Sequence, residues 1–457
     1  MKKLIFFLIL TVILSWQLPF IKIEKGYASV EGWQKGATID PVSPTIYSSS
    51  NLRESLSNLA SSGANYVGFV IPYYQSSETS TDLSPGWNTP TDQSLIDGIA
   101  TAHSLGLKVM LKIHPELKSG VWRAMINPEN KTQWFKNYGD ILNHYAEIGQ
   151  QHGVETICLG AETFKVTTPT YSGANTENWE KLISDVRSRY SGLLTYSAQH
   201  SGPNEASEIE FWDKLDFIGY AAYWPIAGSV DNPTIDDLKN SWASIDSQII
   251  SPVAQKWGKP VMFTEIGYRS MVDTHKDPWN WSRNDIADEE EQARNYEALF
   301  SYWNDRPYFA GVHLWKWEAD PNAGGAGDNG YTPQNKKAQT IMNQWFGGQN
   351  NITPTPSPEI TPIPEEPTPT QIPENTPTPT PSPANAETDN PINTPTPQPQ
   401  EPTSPSENPP NPDSAVTPTP KITNNLIRKT VKRKLVKIRV YLRNLRQWRT
   451  IWVYRYF

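Results

Sequence analysis

Cys158 is the single cysteine in 457 residues, so no intramolecular disulfide can form and a small disulfide-stapled extracellular scaffold is excluded. It stands inside an apolar strand pattern and reads as core filling, not as a nucleophile. Long apolar runs are scarce too. Beyond the first twenty residues none approaches the length that spans a bilayer. Positive charge is thin over most of the chain. Residues 424–457 hold 11 Lys and Arg and no acid, so setting those charges aside turns the net charge of −8 into −19 for the remainder. A body that acidic argues against nucleic acid as its partner and is compatible with a neutral polysaccharide.

What the chain has in quantity is aromatic. Its 18 Trp and 20 Tyr fall mostly before residue 349. Sugar rings carry apolar faces that stack on aromatic side chains, so the enrichment suits a carbohydrate cleft, although many of these rings must fill a core instead.

Composition divides the sequence. Residues 1–28 read as a signal peptide: Lys2 and Lys3 form the charged start, Leu4 to Phe20 the apolar centre, and Gly26-Tyr27-Ala28 a small-x-small cleavage site. A secreted protein, extracellular and in one reading attached to the cell surface, is expected; the competing reading of this segment is an uncleaved anchor. Residues 349–423 repeat Pro and Thr with Glu, Asn and Ser, a composition that cannot bury a core and predicts a disordered, extended spacer. Residues 424–457 form a short basic tail in which Leu435, Ile438, Leu442 and Leu445 share a helical face. A basic amphipathic helix contacting a cell wall or membrane surface is one reading, a remnant without function the other.

Residues 35–348 alternate strand and helix patterns. Strands are expected at Gly36–Asp40, Asn65–Ile71, Leu107–Ile113, Thr156–Glu162, Leu193–Ala198, Asp216–Tyr223, Val261–Glu265 and Gly311–Glu318, with helical periodicity between most of them. Eight such alternations over this length predict an α/β fold, a (β/α)8 TIM barrel.

Two of these strands end alike. Val261-Met262-Phe263-Thr264 runs into Glu265 and Gly267, and Ile157-Cys158-Leu159-Gly160-Ala161 runs into Glu162. An unpaired charge is costly inside a buried strand. At the carboxyl end of a barrel strand the same residue points into the substrate cleft. The two glutamates are 103 residues apart, close to three strand–helix units of about 34 residues. Both then face one cavity, and paired carboxylates flanking one bond are what glycoside hydrolysis uses.

As a set, Leu159-Gly160-Ala161-Glu162, Leu194-Thr195-Tyr196-Ser197-Ala198, Ala222-Tyr223-Trp224-Pro225, Phe263 to Tyr268 and Gly330 to Lys336 make residues Gly36 to Phe346 resemble glycoside hydrolase family 113. The resemblance implies a retaining endo-β-1,4-mannanase, with Glu162 as acid/base and Glu265 as nucleophile. The wider clan of barrel glycosidases mostly has Asn before the acid/base to hold the sugar 2-hydroxyl. Ala161 stands there in this chain, so contact to the axial 2-hydroxyl of mannose must come from elsewhere.

The chemistry sets its own demands. Glu265 must be ionised to attack the anomeric carbon, and Glu162 must keep its proton for the leaving oxygen, which needs a raised pKa. Repulsion between carboxylates about 5–5.5 Å apart helps keep one neutral. No metal or organic cofactor is called for. Asp320, Asn322 and Asp328 fit no defined calcium loop and read as a solvated turn.

Tyr223 is expected to hydrogen-bond Glu265, with barrel packing as the competing role. Trp315 and Trp317 flank Lys316 and alternation puts both on one face. Trp317, nearer the strand end, is preferred as the floor of the cleavage site, and Trp315 stays open. His114 closes the third strand and either bonds a sugar hydroxyl or is structural. Trp224 and Tyr74 complete the cleft candidates. The expected partner is β-mannan or a related polysaccharide, met by a monomer. The alternatives are a barrel glycosidase acting on another β-glycan, such as glucomannan or galactan, and a non-catalytic carbohydrate-binding or wall-attached surface protein.

Overall fold

A computed structural model describes residues 32–201, 204–348, 433–442 and 447–456. The expected signal peptide (1–28) and the Pro/Thr-rich spacer (349–423) lie outside the described residues. The chain parts into two compact units, Met1–Pro362 and Ile363–Phe457.

The first unit is a closed parallel barrel. Its strands are β1 (Gln34–Ile39), β2 (Tyr66–Gln75), β3 (Lys108–Leu117), β4 (Thr156–Ala161), β5 (Leu193–Gln199), β6 (Ile218–Ala221), β7 (Val261–Ile266) and β8 (Phe309–Trp315). Each pairs in parallel with the next, and β1 pairs with both β2 and β8, which closes the circle. Ser84–Pro85 adds a two-residue antiparallel piece to β2.

Every residue of β4 and β7 is buried, as strands covered on both faces require. β3 shows how the faces divide. Val109, Leu111 and Ile113 join the main core, whose other members include the inner faces of the helices. Met110, Lys112 and His114 alternate with them and occupy the opposite face, within the barrel. At the strand starts, Phe217, Met262 and Ala310 form a small separate apolar cluster.

The outer layer is α1 (Ser50–Ser61), α2 (Asp92–Ser104), α3 (Lys131–Gln151), α4 (Ala174–Arg187), α5 (Ile235–Ile245), α6 (Ser251–Trp257), α7 (Glu289–Trp303) and α8 (Lys337–Phe346). A five-residue π turn, Asp246–Ile250, joins α5 to α6. Between β5 and β6 the described residues form only the single turn Glu205–Glu208 and a short 3-10 turn, in keeping with the lack of a helical pattern there in the sequence. Side-chain caps fix several helix starts: Ser49, Thr91, Asn130 and Asp288 each accept a backbone N–H of the first turn, and Thr234 with Asp237 forms a capping box.

The second unit differs from expectation. Its described residues are two antiparallel strands, β9 (Arg433–Leu442) and β10 (Gln447–Tyr456), in register from Arg433↔Tyr456 to Leu442↔Gln447. The helical face through Leu435, Ile438 and Leu442 competes with a period of two through Val436, Ile438, Val440 and Leu442. The density of β-branched and aromatic residues favours the extended form. Among the described residues, no helix is long and apolar enough to cross a membrane.

Candidate active site

Glu162 follows the last residue of β4 and takes the left-handed conformation, φ +55°. Side chains with a Cβ avoid that region unless the surroundings impose it. Here the Glu162 N–H donates to Ser197 O on β5 at 2.8 Å. The turn aims the carboxylate into a cavity of about 720 Å³ at the carboxyl ends of the strands. Its Oε2 accepts from the Trp122 indole at 3.2 Å and from Arg123 Nη1 at 3.3 Å. Arg123 also donates to Glu116 Oε1 at 2.6 Å, so one guanidinium bridges two acids.

Glu265 is the fifth residue of β7 and opens on the same cavity. Its Oε1 accepts the Tyr223 hydroxyl at 2.8 Å, and Oε2 takes Lys112 Nζ in an ion pair. Lys112 rises from inside the barrel, fully buried, and also donates to Thr264 O at 3.3 Å. The Thr264 hydroxyl ties β7 to Ser197 Oγ at 2.7 Å. Two residues further on, Gly267 is obligatory: a Cβ there would stand 1.9 Å from Trp315 O.

The two carboxylates sit in opposite fields. Burial, the largest influence on Glu162, pushes its carboxyl up; Arg123 opposes that and Glu265 adds to it, and the result is a raised pKa. Burial pushes Glu265 up as well, but Lys112 and then His114 and Arg123 outweigh it and hold it well below the usual carboxylate range. Burial holds His114 itself near 4, so at neutral pH it carries no charge and Lys112 is the partner that matters. The two carboxyls are therefore shifted in opposite directions, the division that a proton donor and a nucleophile need.

Of the other residues singled out in the sequence, Tyr223, Trp224 and Trp315 line the cavity. Trp317 does not. It is fully buried in the core, its indole N–H donating to Ser55 Oγ at 2.8 Å. The strand ends at Trp315, so the alternation that would put both tryptophans on one face stops short of residue 317. Trp315 is the aromatic wall. His114 lies buried beside it, rings nearly parallel at 6.4 Å, with Nδ1 3.5 Å from Glu116 and Nε2 without a partner. Tyr74 is also outside the cavity wall and donates to Asn88 Oδ1 at 2.7 Å.

The structure adds residues not singled out in the sequence. Lys112 could have been found there, because it precedes His114 by two and so shares its face. Trp122 and Arg123 lie in the loop after β3, and Trp279 and Trp281 in the loop after β7, where no periodicity exists to point at a cavity. Trp281 is 77% exposed and stands at the rim. Asp273, His275 and Glu291 cluster nearby, but Glu291 is spent on His275 Nδ1 at 2.6 Å and on the Asp273 N–H at 2.7 Å. Asp328 is tied to Lys336 at 2.6 Å and to the Gly330 N–H at 2.8 Å.

Known proteins share this barrel. Residues 42–336 match the family model of Glycoside Hydrolase Family 113. No curated protein matches. Among solved structures, the complex of a β-1,4-mannanase of that family is 26% identical, with a TM-score of 0.60 over 70% of this chain and 100% of the other. A β-mannanase of the same family from Alicyclobacillus acidocaldarius, in complex with ManMIm, is 27% identical, with a TM-score of 0.60 over 69% of this chain and 98% of the other.

Proposed function

The chain belongs to glycoside hydrolase family 113, and from that premise we propose that it is a retaining endo-β-1,4-mannanase, secreted and acting on mannan or glucomannan. The observation that carries the reading is the unequal pair: Glu162 with its pKa raised and Glu265 with its pKa lowered, over one cavity. The two similar structures are a β-1,4-mannanase and a β-mannanase, which supports mannan as the polymer.

In the first displacement Glu265 attacks the anomeric carbon while Glu162 gives its proton to the departing glycosidic oxygen. The Tyr223 hydrogen bond orients the attacking carboxylate, and Lys112 keeps it ionised. In the second, Glu162 takes a proton from water, the water attacks the glycosyl-enzyme, and Glu265 leaves with its charge restored. Trp315 walls the site where the sugar is cleaved. Trp279 and Trp281 offer stacking faces further along the chain. With Ala161 beside the acid/base, the axial 2-hydroxyl takes its contact from other residues of the cavity.

The enzyme works as a monomer, the Pro/Thr-rich stretch acts as a spacer, and the basic tail meets an anionic wall or membrane surface. Retention on isolated walls or anionic liposomes, with and without residues 424–457, tests the tail.

For the activity, reducing-sugar release from mannan, glucomannan, galactan and cellulose is compared between wild type and Glu265→Ala. Mannan is the expected substrate and the variant is expected to be inactive; equal rates for the two proteins would remove Glu265 from its role. Proton NMR of the first product distinguishes the stereochemical course. The β-anomer is expected first, and initial α-anomer would mean a single inverting displacement.

A further inference from the structure

Glu205 is fully buried, is not part of the cavity wall, and has no task in the chemistry above. Its carboxylate is nevertheless heavily engaged. Oε1 accepts the hydroxyls of Tyr196 at 2.8 Å and Thr167 at 2.6 Å, and Oε2 accepts the Gln199 N–H at 2.7 Å. The Tyr196 oxygen in turn accepts the Thr163 N–H at 2.7 Å and lies 3.0 Å from Thr163 Oγ1.

That N–H belongs to the peptide unit directly after Glu162. The N–H of Glu162 itself goes to Ser197 O on β5. Both peptide units flanking Glu162 are thus pinned to β5, and one of the pins terminates in a buried carboxylate. The residue between them is the one held at φ +55°. Such a conformation is strained and persists only where its surroundings over-determine it. Burial pushes the Glu205 carboxyl up to about 7 against its three donors; in its ionised form it is a stronger acceptor than a neutral group and polarises the Tyr196 oxygen toward the Thr163 N–H. Burying a carboxyl with no basic side chain on it is expensive, and its raised pKa registers that cost. A neutral acceptor would serve packing alone at lower cost, which points to a demand beyond packing.

We propose that Glu205 and Tyr196 are positioning residues for Glu162: Glu205 fixes the Tyr196 hydroxyl, which fixes the peptide after Glu162 and aims its carboxyl at the leaving oxygen. The proposal rests on the reading of Glu162 as proton donor.

The test exploits the leaving group. An aryl β-mannoside bearing 2,4-dinitrophenolate departs without protonation, whereas a manno-oligosaccharide needs the proton. Because kcat/KM reports the steps through the first bond cleavage, it isolates the effect of the acid. For Tyr196→Phe and Glu205→Gln, kcat/KM on manno-oligosaccharide is expected to fall about tenfold to a hundredfold, part of what a positioned acid supplies. On the dinitrophenyl substrate the fall should be less than about threefold, because no proton is needed there. Equal losses on both substrates, or no loss on either, overturn the proposal. Glu162→Ala serves as the reference. If it too fails to discriminate between leaving groups, the donor assignment falls and this proposal with it; if it discriminates and the other two do not, this proposal falls alone. Should thermal melts show Glu205→Gln unfolded, Tyr196→Phe carries the test, since its ring stays packed against Trp179 and Phe211.

Discussion

At the scale of single residues, the site is a problem of keeping two nearby carboxylates in different protonation states. Lys112 sets one of them. Replacing it by Met removes the cation from Glu265 and leaves burial unopposed on that side, so the nucleophile's pKa rises. The acid limb of kcat/KM is then expected to move to higher pH by about 1–3 units, read from a pH–rate profile. Arg123 acts in the same direction on Glu162, which it holds down against burial. In Arg123→Met the donor keeps its proton to higher pH, and the basic limb is expected to shift upward. The two tryptophans separate by the same reasoning. Trp315→Ala should lower activity with a modest stability change, whereas Trp317→Ala should cost about 3–5 kcal/mol, as truncation of a buried aromatic does. Denaturant melts alongside kinetics check both. Glu162 and Glu265 were legible in the sequence because an apolar run has no other use for a charge at its end. Lys112 was harder, since its partner lies 153 residues away.

At the scale of elements, each strand delivers its functional group by where it stops. β4 stops at Ala161 and turns into the strained Glu162. β7 carries Glu265 almost to its end and then needs Gly267 to let the β8 backbone pass. Gly267→Ala would drive a methyl into Trp315 O. It is expected to displace both Glu265 and Trp315, lowering kcat/KM and the melting temperature together, and unchanged values for both would show that the approach can relax. β3 is the element whose inner row, Met110, Lys112 and His114, climbs from packing to chemistry. Periodicity revealed that alternation. It misled at β8, where the strand ends two residues before Trp317, and in the tail, where a helical and an extended pattern overlap and the extended one is adopted.

At the scale of the whole molecule, every residue assigned to the chemistry lies between β3 and Trp315, within the barrel unit. A protein ending at Gly348 is therefore expected to release sugar from mannan at the rate of the full-length chain, measured with soluble substrate. A fall of more than severalfold would mean that the C-terminal residues contribute to turnover. The barrel itself was readable from the chain, because eight alternations of strand and helix periods over this length have few other ways to bury their apolar faces. So were the two acids, each marked by a local contradiction between a buried strand and a charge. Which cations and aromatic rings would face those acids was decided only by the tertiary structure. Arg123, Trp122, Trp279 and Trp281 sit on loops that have no period, and they meet across the cavity because the closed barrel brings the ends of distant strands to one rim.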